Sequence, residues 1–476
     1  MFVRIMQLWR QLAAGLWHGG ALLALGLRGH TEDYTRIPVR RAVLLLAVPM
    51  VLELLLESLL VIVNIFFVAR LGAEAVAAVG LTEALATVLD AVAIGLGVAV
   101  TSMVARRIGE GDGDGAALAA GQALWLGAFI GAAAGLGGLV YAPELLAAMG
   151  ASPAVVATGS DYARLLLGGS FTIVFLYLLN ACFRGAGDPG VTLRALWIAN
   201  GLNLLLDPLL IFGLGPVPAL GVTGAALASH LGRGAGIVYL VWRLSRADTR
   251  LHLRLHHLRL VWPVAARLLR ISVGGITQFA LETASWIALV RMVAAHGAAA
   301  VAGFTIALRI ISFTILPAWG LGNAAATLVG QNLGAGNPDR AERSVWYAAR
   351  CNVAYLVTIG LVFVLFPGAV MDLFTADPEV ARFGVECLRI ICCGYAVFAI
   401  GMIMVQSLNG AGATHIPMWI KFAAYWLVQI PLAHLLAETI ALGPRGVFIA
   451  ILVAETLIAA LGFMVFRTGR WKQVMV

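Results

Sequence analysis

Eight carboxylates interrupt the long apolar segments of this 476-residue chain: Glu53, Glu57, Glu83, Asp90, Asp207, Glu282, Glu438 and Glu455. The bases in those segments are fewer, Arg233 and Arg309. An ionisable group inside a lipid-spanning segment costs a few kcal/mol or more, and such groups mark ion or substrate paths. Asp207 carries the most chemistry. Asn200, Asn203 and Asp207 stand at i, i+3 and i+7, on one face of a helix. Pro208 follows and leaves a carbonyl one turn earlier without its donor. A carboxylate, two amides and a loosened carbonyl can share a proton or coordinate a small cation. The bland alternative is a hydrogen-bond cluster that only packs helices. Glu282 and Glu57 come next, each near the middle of an apolar segment, with Glu53 one turn from Glu57. A salt bridge to a neighbouring helix is the alternative there, for Glu282 through Arg309. Asp90 and Glu83, two turns apart, are read as lining a wetted cavity or pairing locally. Asn180 and Arg309 join Glu53, Glu83 and Asp90 as substrate-cavity candidates. Glu438 lies near a helix end, and Glu455 suits either reading.

The elements that must hold these groups are membrane helices. The chain is 61% hydrophobic and 12% charged, with a mean hydropathy of +0.94. Soluble domains carry about 45–50% apolar and about 25% charged residues. Twelve apolar segments are evident, near 43–68, 76–104, 118–142, 158–182, 192–213, 221–242, 268–294, 301–328, 345–368, 383–406, 416–440 and 445–466. Each approaches or exceeds the roughly 20 residues that cross a bilayer as a helix. An all-α membrane protein follows, because only helices or closed barrels satisfy their backbone in lipid. Arginines concentrate on the side of the two termini, above all in the run from Arg243 to Arg270, and Lys421 is counted with them. The positive-inside rule then places both termini in the cytoplasm, with a multi-pass bacterial inner-membrane location. This asymmetry also accounts for the net charge of +8 without nucleic acid.

The chain repeats itself. One constant, ungapped offset carries Glu57 onto Glu282, Gly72 onto Gly297, Gly95 and Gly97 onto Gly320 and Gly322, Gly109 and Gly111 onto Gly334 and Gly336, Pro153 onto Pro378, and Gly185 and Gly187 onto Gly410 and Gly412. The offset spans six helices, an even number. The halves therefore insert with the same orientation, related by a pseudo-two-fold axis along the membrane normal. The expected organisation is an N-terminal extension, interfacial or disordered (1–37), an N-lobe (38–242), a cytoplasmic linker (243–266), a C-lobe (267–466) and a tail (467–476).

Other chemistry is excluded or set aside. Glycine-rich stretches such as Gly109 to Gly113 are turns between helices, and no phosphate-loop GK[ST] is present, so energy must come from an ion gradient. No hydrolase triad or metalloprotease motif occurs, and the chain is read as neither an enzyme nor a cofactor or metal protein. His252, His256 and His257 are read as members of a solvated linker. The five cysteines form no CxxC pair and are read as packing residues.

Phe67 through Gly72, Arg184 through Asp188, Asn203 through Gly213, and Gly330 through Ala335 together resemble signatures of the multidrug and toxic compound extrusion (MATE) family. The likeness covers roughly residues 38–466. It implies a V-shaped pair of six-helix lobes around a central cavity. It also implies export of small amphipathic, mostly cationic solutes in exchange for H⁺ or Na⁺; a monomer is expected. The family's Asn and Asp in helix five fall on Asn203 and Asp207. Its helix-one Asp falls on Asn64, which cannot take up a proton but can coordinate Na⁺ or hydrogen-bond Asp207. Glu282 matches the glutamate that other branches carry in helix seven, whereas their helix-ten acid has no counterpart between Cys387 and Gln406. A lipid-linked oligosaccharide flippase of the same superfamily is the alternative; it calls for several cavity arginines, for which Arg309, Arg291 and Arg233 are the candidates.

Overall fold

A computed structural model describes residues 32–213 and 218–474, with the side chains of 59–65 outside the description. Twelve helical segments succeed one another: α1 Val39–Val68, α2 Ala73–Gly109, α3 Gly113–Ala148, α4 Pro153–Ala186, α5 Pro189–Phe212, α6 Val222–Leu244, α7 Trp262–Ala294, α8 Ala298–Gly334, α9 Pro338–Leu365, α10 (Pro378–Cys392 continued by Tyr395–Gly410), α11 His415–Thr439 and α12 Pro444–Arg467. Among the described residues, nine of these are single helices long and apolar enough to cross a membrane, and α10 is a tenth span bent by 58°. α1 and α6, of 30 and 23 residues, have spanning length as well.

Local chemistry sets the ends. Asp112 caps α3 by accepting from the Gly115 amide at 2.7 Å, Ser152 caps α4 ahead of Pro153, and Asp377 caps α10 ahead of Pro378. The repeat is visible in the backbone itself. α2 and α8 are both 37 residues long. The turn before each begins on a glycine of positive φ, 104° at Gly72 and 106° at Gly297. The turns after α4 and α10 use Gly187 at 83° and Gly412 at 82°, a left-handed conformation that glycine adopts without a Cβ clash. α4 is interrupted at Gly169 as α10 is at Cys393–Gly394, at corresponding positions.

α2 packs along α7, and α1 along α8, so the two halves meet through these four helices. Glycine permits the closest approaches. A Cβ on Gly95 of α2 would collide with the Ile276 backbone, and one on Gly320 of α8 with Val51. At the end that bears the termini the seal is tightest. Gly109 abuts Gln331, Gly334 abuts Arg106, the Gln331 amide donates to the Gly185 carbonyl at 3.0 Å, and Thr327 Oγ1 donates to the Arg184 carbonyl at 3.2 Å. Gly95→Val is expected to lower the melting temperature of the purified protein by forcing α2 off α7, whereas Gly137→Val, which faces open space on α3, leaves it unchanged.

Two expectations are corrected. The linker between α6 and α7 is docked along one side through its backbone and His257, while Arg254, Leu255, His256, Arg259 and Leu260 stay exposed as expected of a solvated linker. Trp125 Nε1 donates to the Leu258 carbonyl at 2.7 Å, and Gln122 both donates to the Arg259 carbonyl and accepts from the Val261 amide. His257 is buried there, and burial together with His256 holds its imidazole below the ordinary range. Asp114, His256 and His257 offer three ligand atoms within 4.8 Å, but His257 accepts the Arg254 amide on Nδ1 and meets Asp114 through Nε2, so both its nitrogens are engaged. Second, Lys421 is not on the termini-side surface; its side chain is 11% exposed, inside the second half. Residues 1–31, most of the expected extension, lie outside the described residues.

Candidate functional site

Three neighbouring cavities occupy the interior. The first, of about 360 Å³, lies within the first half and is lined by Glu57, Glu83, Asp90, Asn200, Asn203 and Ser229, among others. The second, about 260 Å³, lies between the halves against Glu53, Glu57, Asn180, Arg184, Trp319 and Asn323. The third, about 130 Å³, lies in the second half against Glu282, Lys421, Tyr425 and Glu455. Glu57 and Tyr177 belong to both of the first two, and Phe279 and Trp319 to both of the last two. The rings of Phe279 and Trp319 meet edge to face at 5.4 Å and form an aromatic partition between the central and third cavities.

In the first half, Asp207 is buried on α5 one helical turn beyond the cavity wall, where Asn203 Nδ2 donates to its carboxylate at 3.4 Å. The Asn203 amide also reaches Ser229 Oγ on α6 at 3.3 Å. Asn200 lines the same cavity, and its amide nitrogen has no hydrogen-bond partner. Of the expected face of α5, Asn200 and Asn203 line the cavity and Asp207 lies behind the wall, joined to Asn203. Asn64 sits on α1, and its side chain is outside the described residues. Glu57 accepts from Tyr177 OH at 3.2 Å, and neither it nor Glu83 nor Asp90 has an ion-pair partner among the described residues. Ser229 and Tyr177 are cavity groups that sequence reasoning passed over, and Arg233, named there only as an intramembrane base and a cavity-arginine candidate, lines the same wall. Ser229 and Arg233 stand at i, i+4 on α6, a signal that was legible.

Glu53 behaves differently from its neighbour. It forms a buried ion pair with Arg184 Nη1 at 2.9 Å and accepts from Thr192 Oγ1 at 2.8 Å. Asn180 is buried beside it, its carbonyl oxygen without a partner. Arg309 does not pair with Glu282; it is exposed and outside the lining of the three cavities, but its charge acts on Glu83 of the first half. Glu282 pairs instead with Lys421 at 2.5 Å. On the facing helix α12, Glu455 accepts from Tyr425 OH at 2.9 Å. Glu438 is exposed on the last turn of α11. Glu282→Gln is expected to destabilise the protein by roughly 3 kcal/mol because it strands a buried ammonium. Glu455→Gln keeps an acceptor for Tyr425 and is expected to cost under about 1 kcal/mol. Denaturant unfolding of the two variants, with the order reversed, would overturn this assignment.

A family model, MatE, matches residues 49–209 and again residues 276–435. A probable multidrug resistance protein NorM of Thermotoga maritima is 26% identical over 440 residues, 91% of this chain and 94% of that protein. An FAD transporter of Shewanella oneidensis is 26% identical over 404 residues, 84% of this chain and 88% of that one. Among solved structures, the outward-facing conformation of a multidrug resistance MATE transporter of the MOP superfamily superposes with a TM-score of 0.85 at 28% identity, over 93% of this chain and 98% of that chain. A MOP superfamily transporter from Pyrococcus furiosus, described as having a binding pocket of reversed polarity, does so with a TM-score of 0.86 at 27% identity, again over 93% and 98%.

Proposed function

This chain belongs to the MatE family of transporters, and from that premise we propose that it exports small amphipathic organic cations across the bacterial inner membrane in exchange for H⁺ or Na⁺. The observation that carries the reading is the first-half cavity, where Glu57, Glu83 and Asp90, none of them in an ion pair among the described residues, share one polar space with Asn203, and Asn203 in turn donates to Asp207 one turn behind the wall. A small cation or proton entering there changes the charge of the wall. The shared residues Glu57 and Tyr177 pass that change to the central cavity, where the solute sits. Binding of ion and solute then favours different orientations of the halves, which is all that exchange requires. With the termini in the cytoplasm, the contacts of Gly109 with Gln331 and of Gly334 with Arg106 join the two halves on the cytoplasmic side.

The central cavity supports cationic solutes. Its cation Arg184 is neutralised by Glu53, while Glu57, without an ion pair among the described residues, shares the wall with Tyr177, Phe279 and Trp319. Carboxylate and aromatic faces together suit an organic cation. The flippase alternative, and a dinucleotide cargo of the kind named for the Shewanella relative, both need free cations in this wall. Arg309 and Arg291 line none of the three cavities, and Arg233 lies in the first-half cavity among acids.

Expression in drug-hypersensitive cells is expected to raise tolerance to a cationic dye. Uptake of the dye into vesicles under separately imposed pH and Na⁺ gradients identifies the coupling ion. Asn64→Asp, which adds a carboxylate one helix from Asp207, is expected to change that ion dependence. An unchanged response to both gradients would place residue 64 outside the ion site.

A further inference from the structure

Lys421 is one of only two lysines in the chain, the other being Lys472. It lies six residues into α11, close enough to the helix start for its long stem to carry the charge out to the polar boundary. It does the opposite. Its ammonium turns inward, 2.5 Å from Glu282 Oε2 on α7 and 5.2 Å from the ring centroid of Phe279 one turn earlier on the same helix. The two helices are held in register on either side of this contact. Gln278 Nε2 donates to the Thr414 carbonyl at 2.9 Å, and Ser285 Oγ donates to Gln429 Oε1 at 2.7 Å. Immediately after Lys421, α11 widens to i→i+5 hydrogen bonding over Phe422–Gln429, an irregularity common at functional positions.

Carboxylate below, aromatic face beside and a cavity of about 130 Å³ around it make the environment that receives an alkylammonium ion. The other groups facing it are Glu455 from α12, Gln406 from α10, Trp319 from α8, and Tyr425 from α11 itself; Lys421 is the only cation in the wall among the described residues. Lysine is a compact point charge on a flexible stem, unlike the planar fork of arginine used everywhere else in the bundle.

We infer that the Glu282–Phe279 pocket is a second cation site, specific for primary alkylammonium groups, whose resident occupant is the protein's own Lys421. The lysine is a tethered competitor. While it is seated, the second half takes up no free cation and ion exchange runs through the first half. When a solute ammonium takes Glu282, the lysine must leave. Lys421 thereby sets which cations the second half admits. The inference rests on the proposed cation path only for its consequence in transport; occupancy of the site is a binding property and is tested without any gradient.

The test uses two variants of the full chain, each purified with amine present throughout and then melted across an amine titration, with NaCl at equal ionic strength as the control. Lys421→Ala removes the stem and the charge. Butylammonium is expected to raise its melting temperature at concentrations about tenfold or more below those needed for the wild type, whose site is filled. Lys421→Met keeps the stem volume and removes only the charge, so the preference should invert, with methylammonium now more effective than butylammonium. Both effects should vanish when Glu282→Gln is added. The inference is overturned if neither variant responds beyond the NaCl control, if the size preference does not invert, if the response survives Glu282→Gln, or if no folded variant is recovered with amine present. Any of these results leaves first-half ion coupling untouched, and a failure of dye export leaves this site untouched.

Discussion

Asp207→Asn is expected to abolish gradient-driven dye export while leaving the protein folded. The amide has the shape of the carboxylate and can still accept from Asn203, whose contact with Asp207 spans 3.4 Å. What it loses is the ability to carry a negative charge and to exchange a proton. A group that acts only in helix packing would tolerate this change at a cost of about 1 kcal/mol, the worth of an ordinary hydrogen bond. A group whose charge switches during the cycle would not tolerate it at all. The two roles therefore separate in one experiment: melting temperature near that of the wild type, and dye accumulation in vesicles reduced to the level of empty membranes under either gradient. Wild-type export by the variant would remove Asp207 from the ion path and return the Asn200–Asn203–Asp207 face to packing. Asn203→Ala is the graded companion, because it withdraws one donor from Asp207 and its link to Ser229 but keeps the charge.

The second large effect is on stability. Arg184→Met is expected to cost about 3–5 kcal/mol, enough to prevent recovery of most of the folded protein, because it strands Glu53 in a site where its side chain is 4% exposed. Thr192 Oγ1 alone remains as a donor, and one neutral hydrogen bond does not replace a guanidinium. The double variant Glu53→Gln with Arg184→Met removes both charges and should recover most of the lost stability, since an ion pair taken as a whole contributes little beyond its desolvation. Yield and melting temperature of the three proteins check this. If the double variant is no better than Arg184→Met, the arginine acts through packing of the α4 terminus against α8 rather than through its charge.

The carboxylates show how far residue type and spacing carry. Asn203 and Asp207 were placed on one face by their separation along α5, and the structure brings them together because helical periodicity is local. The repeat was equally legible, since glycines that must adopt positive φ, such as Gly72 and Gly297, cannot be replaced freely and so keep their register. Glu53 and Glu57 were not separable in this way. They are one turn apart on α1, yet one is neutralised by Arg184 from α4 and the other is held only by Tyr177 among the described residues. Which turn of a neighbouring helix arrives beside each is a matter of crossing geometry, and no pattern within α1 encodes it.

Lys421 and Arg309 exchange roles for the same reason. A lysine near a helix start reads as a boundary residue and an arginine in mid-span reads as buried, yet Lys421 is enclosed and Arg309 is exposed. Hydropathy measures how a segment partitions between water and lipid; it is blind to which face of the helix a neighbour covers. The amino-acid sequence by itself determined that this chain lives in a bilayer as paired sets of helices with acids inside, because partitioning and helical periodicity depend on residues close in the chain. Only the tertiary structure decided which of those acids are neutralised and which stay open to a cavity. That choice is made by side chains more than a hundred residues apart, brought within 3 Å where desolvation makes a single counter-charge decisive.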